Sequence, residues 1–330
     1  MLKLSDFDYS LPKELIAQYP LEERDTARLL VVDRAKASIE HRIFKDLKDY
    51  LNPRDLLVLN DTKVLPARLI GRRLSGGRVE VLLLEPKAGL TFSALVKPGR
   101  VKLGEKIIFN GKKITGELTG RQEITFCAGG REEIYSLGKM PLPPYIKREV
   151  EASDNIYYQT VYAARDGSVA APTAGLHFTY KLLDEIKSSG VNIAYVTLHV
   201  GHATFKPVKA EDITQHKMDK EYFQVPDSTP ALIKETRVRN NKVIAVGTTS
   251  CRTLEAYAAG VNDGFTDLFI YPGYKFKLVD CLMTNFHLPR TTLFMLVCAF
   301  AGEKLIKKAY QEAIDKKYRF YSYGDAMLIL

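Results

Sequence analysis

The chain has 330 residues, 46% of them apolar and 26% charged, with a formal net charge of +9; this globular profile excludes an intrinsically disordered or collagen-like chain. Its opening, Met1 to Asp8, carries acidic residues where a signal peptide needs an apolar core, and the longest apolar run, Leu293 to Ala301, is under half of the roughly 20 residues of a membrane span, so a cytoplasmic protein without membrane contact is expected. Four scattered cysteines, Cys127, Cys251, Cys281 and Cys298, form no C-x-x-C pair, which favours reduced thiols over a disulfide framework or a zinc site, and no metal is implied.

A short helix is expected near Lys13 to Ala17, followed by strands at Leu29 to Val32 and Leu56 to Leu59. The polar cluster Asn60-Asp61-Thr62 at the end of the second strand can hydrogen-bond a ribose or an amine, or simply form an Asx turn. From about Arg68 to Ser136 the texture changes to short alternating stretches separated by Ser75-Gly76-Gly77, Pro98-Gly99, Asn110-Gly111 and Gly129-Gly130, the pattern of a small all-β barrel or sandwich. The excess charge sits here. Between Lys63 and Lys113 there are 12 basic residues against Glu80, Glu85 and Glu105, and the rest of the chain balances to zero. Such a concentration suits a polyanion such as nucleic acid, with Lys63, Arg68, Arg72, Arg73, Lys97, Arg100 and Lys102 as candidate phosphate contacts; a solvated strand face is the plainer alternative. Three prolines in Met140 to Tyr145 then make a stiff linker.

Beyond the linker, helices and strands alternate: a helix capped by Thr179 and closed by Gly190, a buried strand Val191 to Val200, a helix opened by Thr229-Pro230, a strand Lys242 to Val246, a helix Ser250 to Ala259 closed by Gly260, and an apolar helix from Thr292. The fold class is therefore α/β: a larger, discontinuous α/β domain at residues 1–66 and 146–330, with a small barrel-like β domain inserted at 67–145. Chemistry is expected in the connecting loops. In Ala170 to Thr179, Thr173 and Gly175 allow a ligand close to the backbone, and His177 precedes a helix whose dipole favours the neutral, basic imidazole. His199 and His202 are three apart at a strand end, without the third ligand a metal needs. In Val246 to Glu255, a strand turns at Gly247 into a helix start bearing Thr248, Thr249 and Arg252, fit for a carboxylate or phosphate. Thr284 to Arg290 holds Asn285 and His287, and Tyr318 to Met327 carries aromatics that can stack on a base, although core packing suits most of them. No G-x-G-x-x-G, G-x-x-x-x-G-K or H-E-x-x-H motif occurs, which leaves dinucleotide, P-loop and zincin readings without support.

Taken in order, Asn60 to Arg68, Met140 to Ile146, Tyr158 to Tyr162, Ala171 to Thr179, His199 to Val208, Val246 to Glu255, Ile270 to Gly273, Thr284 to Pro289 and Tyr318 to Leu330 closely resemble the S-adenosylmethionine:tRNA ribosyltransferase-isomerases of queuosine biosynthesis, over nearly the whole chain. The resemblance implies an α/β domain with an inserted β-barrel. It also implies transfer and isomerisation of the ribosyl group of S-adenosylmethionine onto the aminomethyl-deazaguanine at the tRNA wobble position. Epoxyqueuosine forms, adenine and methionine leave, and S-adenosylmethionine is a consumed substrate rather than a cofactor. A base is needed to remove a C5′ proton beside the sulfonium. His177 is the first choice, His287 the second and His199 the third; Thr248, Thr249 and Arg252 are assigned to the methionine carboxylate, and Asn60, Asp61 and Asn285 to sugar or amine contacts. One departure from the family pattern stands at Ala203, where a glycine is usual, with His202 beside it. A non-catalytic RNA-binding module and an S-adenosylmethionine methyltransferase are the competing readings, and reaction products separate them.

Overall fold

The computed structural model describes residues 2–109, 113–201 and 208–330. In chain order the strands are β1 (Arg28–Asp33), β2 (Ser38–Ile43), β3 (Leu56–Asn60), β4 (Thr62–Val64), β5 (Arg68–Arg73), β6 (Arg78–Pro86), β7 (Thr91–Lys97), β8 (Lys106–Phe109), β9 (Ile114–Gly120), β10 (Glu123–Phe126), β11 (Arg165–Ser168), β12 (Asn192–Leu198), β13 (Glu221–Gln224), β14 (Val243–Val246), β15 (Asp263–Thr266), β16 (Cys281–Asn285) and β17 (Ala326–Ile329). The helices are α1 (Arg131–Ser136), α2 (Asp154–Tyr157), α3 (Tyr180–Ser188), α4 (Ser228–Val238), α5 (Gly247–Tyr257), α6 (Thr292–Ala301) and α7 (Glu303–Asp315). No helix among the described residues is long and apolar enough to cross a membrane.

A nine-stranded sheet, ordered β15-β13-β12-β3-β14-β16-β17-β1-β2, forms the body of the molecule. Its centre, β12-β3-β14-β16, is parallel. Parallel strands are covered on both faces, which is why Leu56-Leu57-Val58-Leu59 is a continuous apolar run: Leu56 and Val58 pack under Cys251, Leu254 and Ile233 of α5 and α4, while Leu57 and Leu59 pack with Phe178, Leu182 and Ile186 around α3. Thr179 caps α3 by accepting from the Leu182 amide at 3.1 Å, and Gly190 turns the chain out of it at φ +87°.

Strands β5 to β10 close into a separate barrel, ordered β10-β7-β6-β5-β8-β9. Alternation sends Val79, Val81, Leu83, Phe92 and Ala94 inward and leaves Glu80, Leu82, Leu95 and Lys97 outside. An α/β body with a β-barrel between its two parts is thus the architecture the residue pattern predicts. Three local expectations are corrected. The segment near Lys13 is a single 3-10 turn, Lys13–Leu15, rather than a helix to Ala17; three residues cannot offset the cost of nucleating an α-helix. The helix expected at Ser250 to Ala259 is α5, Gly247–Tyr257, which begins directly at the glycine with no side-chain cap. The proline-rich linker is no free spacer: Met140, Leu142 and Ile146 are buried in a small core with Tyr158 and Tyr323.

Candidate active site

The carboxyl ends of β12, β3, β14 and β16 share one edge of the sheet, the usual place for a ligand in an open α/β fold. Because β17 runs antiparallel to β16, with Ala326 opposite Asn285, the loop 321–325 returns to the same edge. A cleft of about 510 Å³ lies there, lined by Thr173, Gly247, Thr248, Thr249, Asn285 and His287, six of the residues singled out above, together with Tyr145, Thr284, Tyr321 and Ser322. Gly247 takes φ +87°, a conformation that costs other residues roughly 1 kcal/mol, and so lets α5 begin directly at the end of β14. The first turn of α5 has no side-chain cap among the described residues, and Thr249 Oγ1 and Asn285 Oδ1, both on cleft residues, are buried without a protein partner among the described residues. A threonine hydroxyl left open beside a helix N-terminus can donate to an anionic ligand, and the Asn285 amide oxygen, an acceptor, suits a donor such as a sugar hydroxyl or an amine.

Three histidines occupy three distinct settings. His287 lines the cleft; its Nε2 is 2.9 Å from Thr284 Oγ1, its amide donates to Tyr310 Oη at 3.0 Å, and its carbonyl accepts from Tyr9. Burial pushes its pKa down to about 3, so the ring is neutral at physiological pH. His177 stands behind the cleft wall, accepting at Nε2 from Asn285 Nδ2 at 3.2 Å and packing on Phe44. Its pKa is also lowered to about 3, by burial first and then by the Arg319 cation; the helix dipole is not the leading cause, because His177 ends a 3-10 turn and α3 starts only after Thr179. His199 belongs to a neighbouring cluster, with Nδ1 2.8 Å from Thr62 Oγ1 and its ring stacked on Tyr222; burial lowers its pKa. In the same cluster Asp61 accepts from Thr197 Oγ1 at 2.6 Å, and burial raises its carboxyl pKa.

Several expected contacts are spent elsewhere. Asn60 is fully buried; it donates to the Leu198 carbonyl at 3.0 Å and accepts from the Leu198 and Thr62 amides, so both of its side-chain polar atoms are engaged in stitching β3 to β12. Gly175 serves packing rather than ligand approach, since a Cβ there would meet Tyr162 Oη at 2.0 Å. Arg252 lies outside the cleft lining, buried in an ion pair with Glu221 and donating from Nε to the Leu268 carbonyl at 3.1 Å, while its Nη2 is buried without a partner among the described residues. His202 and Ala203 lie outside the described residues.

The basic segment divides in the same way. Lys63 pairs with Asp166 at 3.2 Å, Arg68 with Glu80 at 3.4 Å, and Arg73 holds both oxygens of Glu105. Arg72, Lys97, Arg100 and Lys102 are exposed and, among the described residues, carry no ion pair. Tyr145, Thr284, Tyr321 and Ser322 were not singled out one by one as site residues, although each falls inside a stretch already noted. Tyr145 reaches the cleft because its hydroxyl meets Ser322 and its ring packs edge-on against Tyr321.

A cleft at the carboxyl edge of a parallel sheet, with a neutral imidazole, an uncapped helix start and a basic barrel alongside, defines an α/β enzyme scaffold. Comparison with known proteins makes this specific. The family model described as "Queuosine biosynthesis protein" matches residues 4–329, and the chain belongs to that family. Relatives named S-adenosylmethionine:tRNA ribosyltransferase-isomerase are 54% identical in Sulfurihydrogenibium sp. (strain YO3AOP1) and 51% identical in Thermotoga maritima, each match covering 100% of both chains. A crystal structure of S-adenosylmethionine tRNA ribosyltransferase from Thermotoga maritima aligns with a TM-score of 0.58 at 41% identity, covering 98% of this chain and 100% of that one.

Proposed function

We propose that this protein is an S-adenosylmethionine:tRNA ribosyltransferase-isomerase of queuosine biosynthesis: it transfers and isomerises the ribosyl moiety of S-adenosylmethionine to the aminomethyl-deazaguanine at the wobble position of tRNA, forms epoxyqueuosine and releases adenine and methionine. The carrying observation is full-length similarity at 50–54% identity to relatives of that name, joined to a cleft whose open groups suit the donor. S-adenosylmethionine is consumed as a substrate, and we assign the enzyme to the cytoplasm on the ground that its proposed acceptor is tRNA. We assign residues 67–145 to an inserted domain that meets the tRNA backbone.

In this reading the amides and hydroxyls of Thr248 and Thr249 at the start of α5 hold the methionine carboxylate. Tyr145 and Tyr321 offer ring surface to the donor. The base is His287 rather than His177, because its ring lines the cleft and it is already neutral. When its Nε2–H donates to Thr284 Oγ1, Nδ1 keeps the lone pair needed to take a C5′ proton made acidic by the adjacent sulfonium. The ylide-like species expels adenine, the tRNA amine attacks the activated sugar, and the sugar oxygen displaces methionine to close the epoxide. His177 fixes the Asn285 amide from behind.

The test is product analysis with S-adenosylmethionine and tRNA bearing the aminomethyl base. Adenine and modified tRNA are expected in equal amounts; S-adenosylhomocysteine would replace this reading with methyl transfer, and binding without any product would leave an RNA-binding module.

A further inference from the structure

A second cleft, of about 760 Å³, lies between the outer face of the barrel and the proline-rich segment. Its apolar walls include Leu82 and Leu95, which point out of β6 and β7, and Pro143 and Val169 opposite them. Three charged side chains enter it: Arg68, Glu80 and Lys97. Arg68 is anchored, with Nη1 3.4 Å from one Glu80 oxygen and Nη2 donating to the Leu142 carbonyl at 2.7 Å, while its Nε is buried and unpartnered. The other Glu80 oxygen and the Lys97 ammonium have no protein partner among the described residues. The two clefts adjoin along two segments: Pro144 lines one and Tyr145 the other, Val169 one and Ala171 the other.

We propose that this cleft takes the guanine-type base of the RNA acceptor, splayed out of its strand; the proposal rests on the tRNA-modifying reading above. A cleft with aliphatic walls suits the faces of a base, and RNA readers recognise unpaired bases by such packing plus hydrogen bonds to the base edge. The polar set selects which base. A carboxylate accepts from two adjacent N–H groups, which a guanine-type edge presents at N1 and N2, while the carbonyl beside them accepts from a cation such as Lys97 or the open Arg68 Nε. Adenine presents an acceptor at N1, where Glu80 also accepts, and uracil presents a single N–H. The location agrees, because the cleft opens within the segment that holds the whole excess positive charge of the chain, and its walls touch those of the sugar-donor cleft.

The experiment titrates the protein with anticodon stem-loops carrying guanosine or inosine at the wobble position, since inosine lacks only the N2 amine. Wild type is expected to bind guanosine about tenfold more tightly, the scale of one hydrogen bond to a charged acceptor. Glu80→Gln is expected to abolish that preference, and Leu95→Phe, which fills the slot, to weaken both stem-loops and raise KM for tRNA. Affinity for S-adenosylmethionine, measured by calorimetry, should stay at the wild-type value in both variants, which also verifies their folding. Equal binding of the two stem-loops by wild type, or an undiminished preference in Glu80→Gln, overturns the proposal. Binding is read without turnover, so absent adenine release would refute the ribosyl-transfer reading separately.

Discussion

Acid should destabilise this protein through two imidazoles in particular. His177 and His287 are buried with pKa values lowered to about 3, against 6.5 for an unperturbed ring. Between those values the unfolded chain binds protons that the folded chain refuses, so the stability these residues confer is complete above pH 6.5 and is lost as pH falls toward 3. At pH 5 the loss is about 2 kcal/mol for each ring and about 4 kcal/mol for both, a large share of the 5–15 kcal/mol that holds a typical domain together. The raised pKa of Asp61 acts in the opposite direction, so single variants are needed to isolate the histidines. Urea unfolding followed by circular dichroism at pH 7.5 and pH 5 should show His177→Gln and His287→Asn each losing about 2 kcal/mol less than wild type on acidification. Comparing the two pH values within each variant cancels the direct cost of the substitution. A variant that loses as much stability as wild type between these pH values would refute the reasoning for that ring.

His287→Ala should lower kcat by about 100-fold while leaving tRNA affinity intact, and His177→Gln, which keeps an acceptor for Asn285, should cost less than tenfold; the reverse order in single-turnover kinetics would move the base to His177. Replacing Arg72, Arg100 and Lys102 together by Ala should weaken tRNA binding and flatten its salt dependence by up to about 1 logarithmic unit per lost phosphate contact, read by fluorescence titration at several salt concentrations. Arg252→Ala breaks the buried ion pair with Glu221 and should cost about 3–5 kcal/mol of stability by denaturant titration. The folded Arg252→Lys protein should bind S-adenosylmethionine as wild type does, and a loss of that binding would return Arg252 to the substrate.

What could be read from the sequence depended on how far each residue's partners lie along the chain. The run Val191 to Val200 announces a strand because its own side chains fill both faces, and β12 is found at Asn192–Leu198. The barrel is legible through its turns. The exposed edge strand β2 was missed, because Ser38–Ile43 is mostly polar and lacks the buried side that marks a strand; β13, β15 and β17 have only four residues each, too few for a period. In the site, Thr248 and Arg252 sit four residues apart and looked equally fit for a carboxylate. Glu221, 31 residues upstream, claims Arg252, and Leu198, 138 residues away, claims Asn60. Nothing local distinguishes a polar side chain that is spent from one that is open. Neither does it reveal that Tyr145, at the end of the inserted segment, and Tyr321, in the loop that leads into β17, meet at one cleft.

The position of β17 bears on how the chain reaches this structure. Residues 326–329 fill an interior place in the sheet, between β16 and β1, and β1 begins at residue 28. The barrel closes from strands that all lie within residues 68–126, whereas β3 must wait for β12 and β14, more than 130 residues later, and β1 for β17, almost 300 residues later. Contacts at such separation form slowly, and strand edges exposed meanwhile are prone to mispair. During synthesis the barrel therefore matures first, as a folded bead on an unfinished string, and the catalytic sheet is sealed only when 326–329 leave the ribosome.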